Sequence, residues 1–522
     1  MPSHSLPRRL FRLVIPKYPS FNVYSRIARK TTALGPICVA TAISKMPGWD
    51  AEVIDENNYR FPGPLDARGM PDHRALHELG PSDVAGFYGG LSCTIGRIHE
   101  LAELYRSWGA LTIGGGSHLD ALPEESLRSG LDVVVHGEGE ETICEIFQAW
   151  ESRRDFDAVA GVSFLKEGRL HRTPPRAPIE DFESMPLPDF GLLRFAKVSV
   201  FPVSRIRGCG ANCEFCSVKG AARCASPERL LAQIRRLAEG LRARDFFVVD
   251  DQFAQNRSET LRFCRLLRDY QRRMGLRFFI TVQIRLELAR DEELLEAMRE
   301  CGIRCLAIGF ESVVDEELRA MRKGLKASQM LDLAKRYRKH GFLIHAKFIF
   351  GYPVPEGVPF VMSAEERVAR FRKFIRQAKL DTIQVLLPAP LPGTALRERL
   401  EAQGRVLPLS WDYYDGNFPL IAGDEPLTPE QMQKSILEIM GGFYRFRHMF
   451  GVGLRTLLFP FAMLPLVNVH ARWRRWYRSW RNDIVRFGGW CVIRNWRKRF
   501  RKDGFLEKLR KAVAASRWSH RV

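Results

Sequence analysis

The chain has 522 residues, of which 45% are hydrophobic, 11% aromatic and 27% charged. That exceeds the ~250–300 residues at which single hydrophobic cores stop growing, so more than one domain is expected, and the composition excludes wholesale disorder, collagen-like repeats and a coiled-coil rod. The net charge of +21 is concentrated: residues 441–522 hold 20 Lys and Arg against three acids (Asp483, Asp503 and Glu507), and the remainder is close to neutral. Eleven cysteines are too sparse for a secreted disulfide scaffold. The apolar run in the basic N-terminal stretch is four or five residues long, too short for a signal-peptide core. The longest apolar stretch, 456–469, is broken by Pro460 and Pro465 and falls short of the ~18 residues of a spanning helix. A cytoplasmic protein is expected, free or resting on a membrane surface.

Short apolar runs alternate with helical patterns through the first ~150 residues. Strands are expected at 10–15, 52–55, 84–88, 111–113 and 133–135, and helices at 35–45 and 98–107. This alternation implies a parallel sheet with right-handed crossovers, which binds ligands at the carboxyl ends of its strands. The unusual residues fall at those ends: Gly89-Gly90-Leu91-Ser92-Cys93-Thr94, Gly114-Gly115-Gly116-Ser117-His118 and His136-Gly137-Glu138-Gly139-Glu140. Residues 161–172 read as a small hairpin and the proline-rich stretch 173–190 as a linker, together connecting to a second unit. Six further strands are expected at 198–205, 246–249, 278–282, 305–309, 346–350 and 382–387, with helices between them. One helix is opened by Ser226-Pro227, an N-cap followed by proline at the first helical position. Six βα repeats imply a full or partial barrel that works at the carboxyl ends of its strands. The boundaries drawn from this pattern are 1–155, 156–196, 197–430 and a helical, basic region at 431–522.

Three cysteines, Cys209, Cys213 and Cys216, lie within eight residues in the loop after the first barrel strand. Three thiolates from one loop can hold an iron–sulfur cubane whose fourth iron stays open to another ligand. Zinc competes, but structural zinc takes four ligands, and neither His345 nor Cys224 belongs to a pair at zinc spacing. Free buried thiols are the remaining reading, and a loop rich in Gly and Asn suits them poorly.

The spacing Cys-x3-Cys-x2-Cys, with Phe215 before the last cysteine, resembles the radical S-adenosylmethionine (radical SAM) superfamily. The resemblance covers about residues 198–400. It implies a 4Fe-4S cluster on the three cysteines, S-adenosylmethionine chelated at the open iron, and reductive cleavage to a 5′-deoxyadenosyl radical. It also implies S-adenosylmethionine contacts from Phe215 and from the strand ends: Asp250 and Asp251 after the second strand, Glu311 and Ser312 after the fourth, Gly351 after the fifth. Acids stand at 250–251 where the family usually has Gly-Gly-Glu.

A Gly-rich parallel α/β domain ahead of such a barrel resembles the cobalamin-binding subfamily. The implied fold is a doubly wound, Rossmann-like cobalamin domain followed by a partial TIM-type (β/α)6 radical SAM barrel. Ser92, Thr94, Gly114, Gly115, Gly116, His118, Gly137 and Glu138 would then cradle the corrin and its nucleotide tail, glycine letting the backbone approach a large planar ligand. Taken alone, Gly114–Gly116 also reads as a tight βα turn. The histidine that ligates cobalt from below in cobalamin mutases has no counterpart in Lys17-Tyr18-Pro19-Ser20-Phe21-Asn22. Bound cobalamin would therefore be base-off, and a domain that has lost cobalamin stays open. The remaining cysteines form no second cluster motif, which argues against the methylthiotransferases that modify transfer RNA.

The expected reaction is methylation of an unactivated carbon of a small molecule, hydrophobic or lipid-like, with electrons from a donor such as flavodoxin or ferredoxin. Two alternatives stand beside it: cobalamin-linked oxidation or ring closure, as in the anaerobic porphyrin-ester cyclases, and a non-catalytic cluster-containing membrane or RNA adaptor. The tail places Trp473, Trp476, Trp480, Trp490, Trp496 and Trp518 among many arginines. It reads as a helix on an anionic membrane, with the active site opening toward the bilayer, or as a helix packed on the barrel with its arginines solvated. Nucleic acid is the third reading and not the expected partner.

Overall fold

The computed structural model describes residues 8–23, 25, 29–218, 220–459 and 469–516. In the first unit β1 (Arg9–Ile15), β2 (Trp49–Asp55), β3 (Val84–Tyr88), β4 (Leu111–Gly115) and β5 (Val133–Val135) pair in parallel in the order β2-β1-β3-β4-β5. The strands are apolar because helices cover both faces. Ile37 and Ile43 of the helix Leu34–Ser44 and Phe147 of Gly139–Glu151 share one core with Phe11 and Leu13, whereas Ile98 and Tyr105 of Ile95–Ser107 share another with Val14 and Ala85. The strand order reverses beside β1, and the crevice at such a switch point is where these sheets take ligands. The hairpin expected in the connecting stretch, β6 (Val162–Lys166) and β7 (Arg169–Arg172), completes the first sheet, where β6 pairs antiparallel with β5.

The second unit is an open, all-parallel layer in the order β8-β11-β12-β13-β14-β15. Its strands are β8 (Phe201–Val203), β11 (Asp245–Val248), β12 (Phe279–Gln283), β13 (Ile303–Glu311), β14 (Leu343–Ile349) and β15 (Thr382–Leu386). A two-stranded ribbon, β9 (Ile206–Arg207) with β10 (Arg223–Cys224), brackets the cysteine loop. The helices start where the sequence supplies caps. Ser226, Asn256, Asp291, Ser363 and Thr394 each accept a backbone N–H three residues on, which satisfies a donor the helix cannot.

The helices Pro429–Phe443 and Val469–Asp503 pack beside β15. Arg478 donates to the Phe342 carbonyl at 3.0 Å and to Asp381 at 3.2 Å, Asn482 donates to Asp381 at 2.8 Å, and Arg486 donates to the Leu380 carbonyl at 2.7 Å. Trp496 is buried, and Phe500, Phe505 and Leu509 pack with Phe21, Tyr413 and Phe418. From Arg478 onward the tail is thus packed on the protein. Residues 460–468 of the apolar run and Trp518 lie outside the described residues. Among the described residues no helix is long and apolar enough to cross a membrane.

Candidate cofactor site

The cysteine loop leaves the ribbon under tight control. Buried Asp250, at the end of β11, accepts from Ser204 Oγ at 2.7 Å, Arg205 N at 2.7 Å and Ile206 N at 2.9 Å, all through Oδ1. Burial pushes its carboxyl up to about 6, against the pull of these donors. Asp250 therefore braces the loop's entry through Oδ1. Asp251 accepts from Gly208 N at 2.9 Å. The middle of the loop is clamped as well: buried Glu214 receives Arg399 Nε at 2.7 Å and Nη2 at 2.9 Å, and Tyr352 Oη at 2.7 Å. Phe215 meets the Tyr352 ring edge-on at 6.1 Å.

Cys209, Cys213 and Cys216 are free and partly exposed. Burial raises the Cys216 thiol, and the charges of Cys213 and Cys209 add to this, so the three sulfurs are electrostatic neighbours. Among the described residues no three His, Cys, Asp or Glu side chains are closed to metal-holding geometry. An all-thiol donor set on a loop with left-handed glycines at 208 and 210 nonetheless fits a cubane held by three cysteines. Cations surround it. Arg285 donates to the Cys209 carbonyl at 3.2 Å, Lys323 pairs with Glu311 at 3.1 Å, and Lys347 donates to Gln283 at 2.9 Å.

Glu311 sits in the left-handed region at φ 61°, where the β13–β14 register shifts. Ser312 is fully buried and donates to Glu317, itself paired with Arg367. Gly351, at φ 72°, has Leu427 only 2.8 Å from where a Cβ would stand, so the turn after β14 requires glycine.

A cavity of about 380 Å³ lies between the first sheet and the barrel. Gly114, Gly115, Gly116, Gly137 and Glu138 line it from the sheet, and Arg207 and Asp251 from the cysteine-loop side. The glycines differ in role. A Cβ on Gly114 would strike Leu131 at 2.5 Å, and one on Gly116 would strike the Gly90 backbone at 2.5 Å, with φ at +126° besides. A Cβ on Gly115 meets nothing nearer than 3.6 Å, and one on Gly137 nothing within 4 Å. Gly115 and Gly137 thus hold open space that side chains would fill, which suits a large planar ligand pressed on backbone.

Glu138 lines this cavity, but its carboxylate is committed. It accepts from Arg207 at 2.8 Å, from Arg223 at 2.9 and 3.0 Å, and from Ile179 N at 2.7 Å. Burial would raise its pKa, but the two guanidinium groups prevail and hold it low. Ser92, Thr94 and His118 are not brought to the cavity. All three are buried, Ser92 Oγ bonds His118 Nδ1 at 2.9 Å, and Thr94 Oγ1 donates to the Leu91 carbonyl at 2.9 Å. The Trp411 ring, from the segment after the barrel, covers His118 edge-on at 4.7 Å.

Residues 203–366 match the radical SAM superfamily. The chain carries a radical SAM domain. Over 341 residues it is 29% identical to an uncharacterized methyltransferase of Pyrococcus horikoshii, spanning 63% of this chain and 71% of that protein. It resembles in structure TsrM, a radical S-adenosylmethionine methyltransferase of Kitasatospora setae solved with cobalamin and a [4Fe-4S] cluster, with TM-score 0.61 and 18% identity over 77% of this chain and 76% of TsrM. It also resembles OxsB, a cobalamin-dependent S-adenosylmethionine radical enzyme solved with aqua-cobalamin and S-adenosylmethionine, with TM-score 0.63 and 14% identity over 97% of this chain and 80% of OxsB. At these identities the likeness is one of fold: a Rossmann-like sheet ahead of a radical SAM barrel.

Several polar groups of this radical SAM domain escaped the sequence reading. Lys347 interrupts the apolar strand Leu343–Ile349, and that interruption was the visible signal. Gln283, Lys323 and Arg285 carried none, being single polar residues at strand ends and in loops. Glu214, inside the cysteine motif, and Arg399, 185 residues later, were joined only by folding.

Proposed function

We propose that this radical SAM enzyme is a cobalamin-dependent C-methyltransferase acting on an unactivated carbon of a hydrophobic, lipid-like small molecule. The observation that carries this is the glycine-walled cavity beside the cysteine loop, whose lining residue Arg207 directly precedes that loop and whose lining residue Asp251 accepts from Gly208 N. Cys209, Cys213 and Cys216 would hold the cluster, and Gly115 and Gly137 would admit the corrin. When bound, cluster and S-adenosylmethionine supply a hydrogen-abstracting radical and cobalamin supplies a carrier for the methyl group. The chain's own part is to place and shield these groups. Asp250 and Asp251 fix the start of the loop, Arg399 and Tyr352 fix its middle through Glu214, and Lys323 and Lys347 put positive charge beside the thiolates. Phe182, Met185, Pro186 and Pro188 of the linker add an apolar wall that keeps water from the cavity and favours a hydrophobic substrate. A flavodoxin or ferredoxin would deliver the electrons.

The test is anaerobic reconstitution followed by reduction. The parent protein should show iron–sulfur absorbance, retain cobalamin and release 5′-deoxyadenosine from S-adenosylmethionine, and Cys213→Ala should lose absorbance and cleavage together. Cleavage undiminished in that variant removes the cluster assignment. A parent protein that cleaves S-adenosylmethionine yet never binds cobalamin removes the methyl-carrier reading.

A further inference from the structure

The helix His448–Leu457 buries none of its residues. Its inner side is held by polar contacts to the long helix behind it: Asp483 receives His448 at 2.8 Å and Arg455 at 2.9 Å, and Trp480 donates to Thr456 at 3.0 Å. Its outer side is apolar. Phe450, Leu454, Leu457 and Leu458 recur at helical spacing, and Phe450, Leu454 and Leu457 are 64%, 59% and 75% exposed. Trp473 and Tyr477 of the neighbouring helix, stacked at 5.8 Å and each 42% exposed, add aromatic surface. Such a stripe is costly in water and marks a surface meant to be covered.

We propose that this helical hairpin docks on an anionic lipid bilayer. Charge complementarity selects the occupant: residues 441–522 carry 20 Lys and Arg against three acids, which repels a second copy of the same surface and attracts acidic headgroups. Exposed tryptophan and tyrosine suit the headgroup level, and with no helix among the described residues apolar enough to span, the hairpin lies in the interface.

The hairpin also has a fixed position relative to the cofactors. The helix behind it is anchored by Arg478 to Phe342 and Asp381, the residues just before β14 and β15 begin, whereas the cysteine loop and Gly351 follow strand ends. A five-residue strand spans roughly 16 Å, so the bilayer would meet the opposite end of the barrel from the cofactor site. This placement would differ from the expectation that the active site opens toward the membrane. Docking would localise the enzyme and leave the site facing away.

The experiment is co-sedimentation of the full chain with phosphatidylcholine vesicles, with and without phosphatidylglycerol. Binding should require phosphatidylglycerol, weaken with salt, and fall about tenfold or more in the double variant Phe450→Asp, Leu454→Asp, whose S-adenosylmethionine cleavage in solution stays unchanged. Brominated acyl chains should quench the parent's tryptophan fluorescence more than that of Trp473→Phe. The proposal is overturned if the parent ignores anionic vesicles at low salt, or if it is a dimer in solution that the double variant splits, which would assign the stripe to a second copy.

Discussion

Glu138 and Arg207 stand 69 positions apart and meet at 2.8 Å across the seam between the two units. The same guanidinium reaches Glu140, whose side chain is only 6% exposed, and the cysteine loop begins two residues later. One side chain therefore joins the cavity wall to the cluster loop. Arg207→Ala leaves Glu140 buried without this partner, at a cost of roughly 3 kcal/mol. Thermal unfolding should shift down, and cobalamin and iron per chain should both fall on purification. Arg207→Lys keeps the charge without the two-carboxylate fork and should lie between. Iron content untouched in Arg207→Ala would show that the loop does not depend on this tie.

The glycine run separates two predictions that the sequence alone merges. A Cβ at Gly115 meets the Val135 carbonyl only at the ordinary contact distance of 3.6 Å, so in Gly115→Leu the fold and the cluster should survive while cobalamin binding is lost. Gly116→Ala puts a Cβ 2.5 Å from Gly90 N at a backbone angle L-residues avoid, so it should lower stability by about 2 kcal/mol or more. Cobalamin content and melting temperature, read on both variants, should move oppositely; equal cobalamin loading in Gly115→Leu and the parent would misplace the site.

Periodicity carried most of the architecture into view, because buried parallel strands must be apolar throughout and their helices must be amphipathic. Val84–Tyr88 and Val133–Val135 fall where the apolar runs place them. The hairpin at 162–172 was legible as a hairpin, but its pairing with β5 is a long-range choice that its local pattern does not express. The site was legible where chemistry is clustered in sequence, as in the three cysteines. It was not legible where a strand-end polar residue had two possible audiences. Asp250 and Ser312 sit at the expected ends but turn to Arg205 and Glu317, and His118 is capped by a tryptophan 293 positions away in the numbering, so only the fold could show that these face the core. The Arg- and Trp-rich tail divides in the same manner. Trp496 is core while Trp473 is surface, although their sequence neighbourhoods look alike.

The clamp on Glu214 gives a graded series. Arg399→Ala removes two charge-assisted bonds from a buried carboxylate and should cost about 3 kcal/mol, with slower or incomplete cluster assembly because the loop's centre is released. Tyr352→Phe removes one donor to the carboxylate and should cost about 2 kcal/mol while keeping the ring packed on Phe215. Iron per chain after reconstitution, set beside the unfolding midpoint, should rank parent, Tyr352→Phe, Arg399→Ala. The reverse order would place the clamp elsewhere.

The last prediction concerns pH. His345 in β14 bonds Thr382 Oγ1 through Nδ1 at 2.9 Å, and burial, joined by the charge of Lys347, depresses its pKa from 6.5 to about 4. The folded state therefore keeps the imidazole neutral where the unfolded chain would protonate it. The stability this represents is fully present above pH 6.5 and is lost as the pH falls toward 4, at up to about 1.4 kcal/mol per unit. His345→Gln keeps a hydrogen-bonding side chain that does not titrate, so its denaturation midpoint should fall less steeply than the parent's between pH 6.5 and 4. Parallel profiles for the two proteins would show that the acid sensitivity of the fold resides in its carboxylates instead.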